Sequence, residues 1–194
     1  MSYHIYTTDG IVLKRSNFGE ANIILYILTR DLGLIIASAQ AARLGVSKLR
    51  PSLQEYCHST FSAVKGKNGW KITNAISKQN FFFDVPAFTQ KFISQISTIL
   101  VRMMPGEEMH KEIFEIVSTS FEYAKNISEE EIQNFEILCM FRILYHLGYV
   151  SSDDQTQKFL SENSDWSESL NTEIISNKKL LVEKINKGLK ESQL

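Results

Sequence analysis

The hydrophobic period of this chain changes once, near Asp84-Val85-Pro86, and the change constrains the fold more than any other feature. Before it, apolar residues recur at every second position; after it, at every third or fourth. Tyr3, Ile5 and Thr7 alternate, and Ile11 and Leu13 alternate with Val12 and Lys14 after the turn signal Asp9-Gly10. The run Ile23 to Leu28 ends at Thr29, Asp31-Leu32-Gly33 reads as a tight turn, and Leu34 to Ala37 follows as the hairpin partner. Beyond a polar, basic stretch from Gln40 to Pro51, a strand from Leu53 to Lys65 places Phe61 and Ala63 on one face and Thr60, Ser62 and Val64 on the other. Gly66-Lys67-Asn68-Gly69 turns the chain into a last strand opened by Trp70, Ile72 and Asn74. Five short strands within about 80 residues leave no room for a second large sheet and suit a small closed barrel.

After the change, Phe88, Phe92, Ile96, Ile99 and Met103 predict a helix that stops at Pro105-Gly106. A second helix is expected from Glu107 to Lys125, with Ile113, Val117, Phe121 and Ala124 inward. Ser128-Glu129-Glu130-Glu131 reads as a capping box that opens a third helix, Glu129 to Leu147, closed by Gly148. From Ile137 that helix is apolar nearly all round, as the centre of a bundle would be. The polar segment Ser151 to Asn171 is expected to be a loop with one short helix, and Glu173 to Glu191 a final amphipathic helix. The class is α+β: a five-stranded barrel over residues 1–80, then an all-helical domain over 81–194.

At 194 residues, 43% hydrophobic and 22% charged, the composition is that of a globular chain of one domain or two small ones. No apolar run approaches the ~20 residues of a membrane helix, and Met1 to Tyr6 lacks the basic and apolar regions of a leader. The expected location is therefore the cytoplasm. The net charge of −1 conceals an asymmetry: residues 1–80 carry +6, residues 81–150 carry −5, and residues 151–194 carry −2. A basic first part joined to an acidic second part suggests a polyanion-binding module beside something with another task.

Nothing in the residues argues for catalysis. There is no phosphate-cradling glycine loop, nucleophile elbow or zinc-protease motif. Cys57 and Cys139 stand far apart, and His4, His58, His110 and His146 have no neighbours at ligand spacing, so no metal or other cofactor is expected. Glu107-Glu108 and Glu129-Glu130-Glu131 are what helix dipoles favour at N-termini. Phe81-Phe82-Phe83 reads as an apolar hinge more readily than as an aromatic binding box. The cations are more informative: Lys14 and Arg15 at the exit of the first strand, Arg43, Lys48 and Arg50 in the long basic loop, and Lys65 and Lys67 beside a hairpin turn. Small five-stranded barrels bind single strands through a basic groove with aromatic platforms, for which Tyr26, Tyr56, Phe61 and Trp70 are available.

The run Gly10 to Glu20, then Ile23 to Thr29 and Gly33, then Ala42-Arg43 and Ser47 to Gln54, resembles the N-terminal domain of the RecO family. Phe135-Glu136 to Gly148-Tyr149 and Ile185 to Ser192 are similar to that family's helical segments. The resemblance implies an OB-fold followed by a helical domain. It also implies a non-enzymatic, nucleoid-associated mediator of recombinational DNA repair that binds single- and double-stranded DNA and anneals strands. The implied partners are RecR, the C-terminal tail of single-strand-binding protein and, indirectly, RecA. Two departures stand out. Ser151 to Asn171 occupies the place of a four-cysteine zinc module without one cysteine, and Gln40-Ala41 replaces a Lys-Gly pair.

Phosphate neutralisation by Lys14, Arg15, Arg43, Lys48 and Arg50 would make DNA binding largely indifferent to sequence. The resemblance places the docking of an acidic peptide tail on the helical domain, where Arg142 stands amid Leu138, Phe141 and Tyr145. The alternative is a protein-interaction adaptor whose barrel does not bind DNA.

Overall fold

A computed structural model describes residues 4–104, 106–160 and 166–192. Tyr3 of the first alternating run, Pro105 of the expected helix stop and residues 161–165 of the polar segment lie outside the described residues. Internal packing divides the chain into two units, Met1–Val85 with Ile93–Phe114, and Pro86–Phe92 with Glu115–Leu194.

The first unit is built on five strands: β1 Ile5–Phe18, β2 Asn22–Thr29, β3 Gly33–Ala39, β4 Cys57–Gly66 and β5 Gly69–Asn80. They close in the order β1-β2-β3-β5-β4, the arrangement of an OB-fold. All neighbours are antiparallel except β3 and β5, a parallel seam of two residue pairs, Ala37 with Trp70 and Ser38 with Lys71. Alternation fills the interior with Val12, Ile23, Leu25, Ile27, Ile35, Phe61, Trp70 and Ile72, capped by Ala42 and Leu53 from the β3–β4 connection. The expected start of the fourth strand is corrected: Pro51–Leu53 is a single 3-10 turn that seals the barrel, and pairing begins at Cys57.

Asp9-Gly10 is not a turn, contrary to the sequence expectation. β1 runs straight through it and changes partners there, pairing with β4 from Ile5 to Ile11 and with β2 from Gly10 to Phe18. A β-carbon on Gly10 would come within 2.8 Å of Ile27 Cγ2 and 3.2 Å of Phe61 Cδ2, so glycine serves close strand approach rather than reversal. Asp9 is held by Thr60 Oγ1 and Lys78 Nζ, each at 2.7 Å, across β4 and β5. Three residues further on, a β-bulge between Val12 and Lys14 leaves Leu13 without a partner in β2. Residues 93–114 complete this unit. The Tyr56 hydroxyl lies 3.4 Å from Ser94 Oγ, and the Leu34 amide donates to the Gly106 carbonyl at 2.9 Å.

The helices are α1 Ala87–Met103, α2 Lys111–Tyr123, α3 Ile132–His146 and α4 Glu168–Glu191. α2 starts a turn later than its period suggests. The capping box is also corrected: the Ser128 hydroxyl donates to the Glu131 carboxylate at 2.9 Å, and a turn through residues 129–131 precedes α3. At the other end Gly148 has φ +79°, with Tyr149 N–H on the Leu144 carbonyl and Gly148 N–H on that of Tyr145, a Schellman cap. α4 begins earlier than expected because Ser167 caps it, accepting the Leu170 amide at 3.2 Å. In the second unit Phe92, Phe121 and Phe135 form an aromatic core, and Trp166 stands edge-on to Phe135. Asn134 and Asn171 link α3 to α4 at 2.9 Å. Both cysteines are free and buried, and burial pushes the Cys139 thiol up to about 12.

Two stability measurements follow. Gly10→Ala overpacks the barrel where β1 changes partners, and should lower stability by about 1–3 kcal/mol in denaturant unfolding. The acid limb of stability is set by lowered carboxylates. Burial alone would raise Asp9, but its bonds from Lys78 and Thr60 outweigh that and hold it below 3.8. Lys184 and Thr156 hold Asp153 at about 2. A carboxylate lowered in the fold stabilises it above the ordinary value and loses that contribution as pH falls through the folded one. Burial raises Glu136 and opposes this trend. The melting temperature should fall from pH 5 to pH 2, and Asp9→Asn with Asp153→Asn should flatten that profile.

Candidate nucleic-acid interface

The sequence groups Lys14 with Arg15, but a strand sends neighbours to opposite faces. Lys14 stands opposite Tyr26 on the outer face of β1–β2, its Nζ 5.6 Å from the ring centroid. Tyr26 in turn faces the exposed Ile36 of β3, so a cation, an aromatic and an aliphatic side chain form one row across three strands. Arg15 stands opposite the buried Leu25 on the other side of the ladder, and lines a cleft with Asn17, Tyr56 and Phe82.

The loop between β3 and the 3-10 turn is fastened to the β1–β2 turn. Arg43 Nη1 donates to the Gly19 carbonyl at 3.0 Å, the Arg43 amide to that of Ala21 at 3.0 Å, and the Ala41 amide to Asn22 Oδ1 at 3.0 Å. Lys14 lies about 13 Å of strand from the start of that turn. Arg43 is therefore at the turn of the β1–β2 hairpin and Lys14 midway along its ladder. Lys48 and Arg50 are exposed further along the same loop, in a series of turns linked by Ser47 N–H to Leu44 O and Arg50 N–H to Ser47 O.

Among the described residues no ion pair involves Lys14, Arg15, Arg43, Lys48 or Arg50. Lys65 and Lys78 differ: Lys65 pairs with Glu107, which it holds below the ordinary carboxylate range, and Lys78 pairs with Asp9. Of the four aromatics the sequence offers as platforms, Phe61 and Trp70 are buried in the barrel core, while Tyr26 and Tyr56 are half-buried and reach the surface. Two other aromatics are exposed: Phe18 beside the β1–β2 turn, which the sequence reading passed over, and Phe83 after β5, which it took as part of an apolar hinge, 60% and 61% accessible. Their only sequence signal is an aromatic at a strand end where the alternation stops.

In the helical unit, Arg142 is partly buried on α3, and its Nε donates to the Phe159 carbonyl at 2.8 Å. Burial lowers the proton affinity of its guanidinium. Leu138 and Phe141, expected beside it at a docking surface, are buried in the core, and Tyr145 is half-buried. Among the described residues no group of three or more His, Cys, Asp or Glu side chains could hold a metal, and no helix is long and apolar enough to cross a membrane.

The family described as Recombination protein O N terminal matches residues 1–81. The chain is similar to a protein of Dehalococcoides mccartyi named DNA repair protein RecO, at 28% identity over 137 residues, 69% of this chain and 54% of the relative. A protein of the same name from Heliobacterium modesticaldum is 27% identical over 150 residues, 75% of this chain and 52% of the relative. One from Acetivibrio thermocellus is 36% identical over 75 residues, 39% of this chain and 30% of the relative. The chain spans about half the length of the curated relatives it matches. The RecO N-terminal family thus matches the barrel from end to end, and the similarity to RecO proteins runs on into the helical sequence.

Proposed function

We propose that this chain binds DNA without sequence preference and acts, without catalysis of its own, in recombinational DNA repair. Its place there would be that of a mediator that holds single strands, anneals them and helps load a recombinase. The observation that carries this reading is a set of cations with no ion pair among the described residues: Arg43, Lys48 and Arg50 in the loop fastened to the β1–β2 turn, and Lys14 against Tyr26 on the same hairpin of an OB-fold barrel. OB-folds take oligonucleotides on this kind of face and its loops. Cations not engaged with carboxylates are available to displace counterions from phosphates. The DNA-repair names of the relatives agree with it.

The salt dependence of oligonucleotide binding tests this. Each phosphate contact contributes about 0.7 to the single-strand slope, so replacing Arg43, Lys48 and Arg50 by alanine should lower the slope by about 2 and weaken binding at every sequence. An unchanged slope places the interface elsewhere. The adaptor reading is favoured by Leu44 and Val46, 47% and 87% exposed in the same loop. Absence of binding to any DNA at low salt would select it.

We assign RecR and the single-strand-binding tail as protein partners, the tail to the acidic helical unit. Arg142 is the residue that the family resemblance offers for this role, and its Nε donates to the Phe159 carbonyl. An acidic peptide with a photoreactive group near its apolar C-terminus should cross-link to residues 115–192 of the full chain. Cross-links confined to the barrel would reverse the assignment.

A further inference from the structure

β1 ends differently from the rest of the barrel wall. Arg15 and Asn17 stand opposite Leu25 and Ile23, the register positions that elsewhere carry core side chains, yet both are polar. They line one side of a cleft of about 430 Å³ whose other side is Glu55, Tyr56, Phe82 and Phe83. The Tyr56 and Phe82 rings are stacked, 4.7 Å apart with 24° between planes, and so brace one another. Phe83 is left 61% exposed at the same cleft. Arg15 Nε is shut off from solvent with no hydrogen-bond partner, although buried donors are ordinarily satisfied. Glu55 accepts the Arg15 amide through Oε1 at 2.9 Å.

The backbone here is also held in an uncommon conformation. Tyr56 has φ +63°, in the left-handed region that bulky side chains avoid. Its amide is fixed to the Val12 carbonyl at 2.7 Å, and its own carbonyl accepts the Phe81 amide at 3.1 Å. The barrel thus holds an aromatic in a strained position at the wall of a cleft, the kind of outlier that collects at binding sites.

A polyphosphate does not suit this cleft, because Glu55 lines it. A flat ring with hydrogen-bond acceptors and an amino group on its edge does suit it. We propose that the cleft holds one unstacked base of a single strand, its face on Phe83, an edge acceptor on the Arg15 guanidinium and its exocyclic amino group on Glu55. This rests on the DNA-binding reading above and adds a division of labour. The loop cations hold any phosphate backbone, whereas the cleft takes only a base free of its stack, and so sets the preference for single strands over duplex. Thymine, which has no amino group, would forgo the Glu55 contact but keep the stacking and the Arg15 bond, so strands of any sequence still bind.

The test uses the full chain with a cytosine-rich single strand and a duplex of equal length at one low salt concentration. Base–aromatic stacking energies convert to roughly a 5- to 140-fold loss of single-strand affinity for Phe83→Ala, with duplex affinity and salt slope unchanged. Arg15→Gln should act in the same direction. A strand carrying 5-iodocytosine should cross-link to Phe83 or Tyr56. Equal losses on single strand and duplex, or no loss, would overturn the cleft while leaving the cation loop standing. Failure of the unaltered protein to bind either DNA would remove both readings. Cross-linking of an acidic peptide, but not of the strand, to the cleft would make it a protein-docking site instead.

Discussion

The backbone ladder of β1 supports both the barrel and its candidate surface. One strand bonds to β4 through its first half and to β2 through its second, and the exchange occurs at Gly10-Ile11. Where the strand changes partners three strands meet, and only a residue without a β-carbon lets Ile27 and Phe61 close over that point. The bulge at Leu13 then shifts the side-chain phase by one residue. Uninterrupted alternation would carry Lys14 onto the interior side with Val12. With the bulge, Lys14 goes out to Tyr26, while Arg15 and Asn17 take the inward-facing positions at the barrel's end. The surface row and the cleft therefore have one cause, an unpaired residue in β1.

Charge is deployed differently in the two units. Helical-unit lysines pair with carboxylates: Lys125 with Glu122, Lys158 with Glu173 and Lys184 with Asp153, at 2.7 to 2.9 Å. Exposed pairs of this kind add little stability, yet each cancels local field at a distance. In the first unit the carboxylates Asp9 and Glu107 engage Lys78 of β5 and Lys65 of β4, not the cations of the basic loop. The loop cations are left to project an unbalanced positive potential. A total charge near zero thus coexists with a surface able to attract a polyanion.

Much of the fold was legible because period two and period 3.6 leave distinct marks. Phe61 and Ala63 alternate inward as read, and Gly148 closes α3 as read. The misreadings were local. Asp9-Gly10 has turn chemistry, but the need of Ile27 and Phe61 for space overrides it, and that need arises from strands distant in sequence. The bulge leaves no sign in Ile11-Val12-Leu13, three apolar residues that fit either phase. The same holds for the candidate site. The cations of residues 43–50 are visible as a charge cluster, but which of Lys14 and Arg15 faces outward depends on the bulge. The cleft depends on Tyr56 meeting Phe82 across a gap of 26 positions in the chain.

The parallel seam between β3 and β5 has a kinetic consequence. It joins the barrel through Ala37–Trp70 and Ser38–Lys71 alone, whereas β4 and β5 are laddered from end to end. A cylinder opens first where its wall has the fewest rungs, so amide exchange in the native ensemble should begin at this seam, well before global unfolding. Opening there would expose one side of β3 while β1 kept both of its partners. The cation loop leaves the chain directly after β3. The joint with the fewest rungs is thus attached to the segment proposed to meet the polyanion, and a strand bound there would restrain opening at the seam.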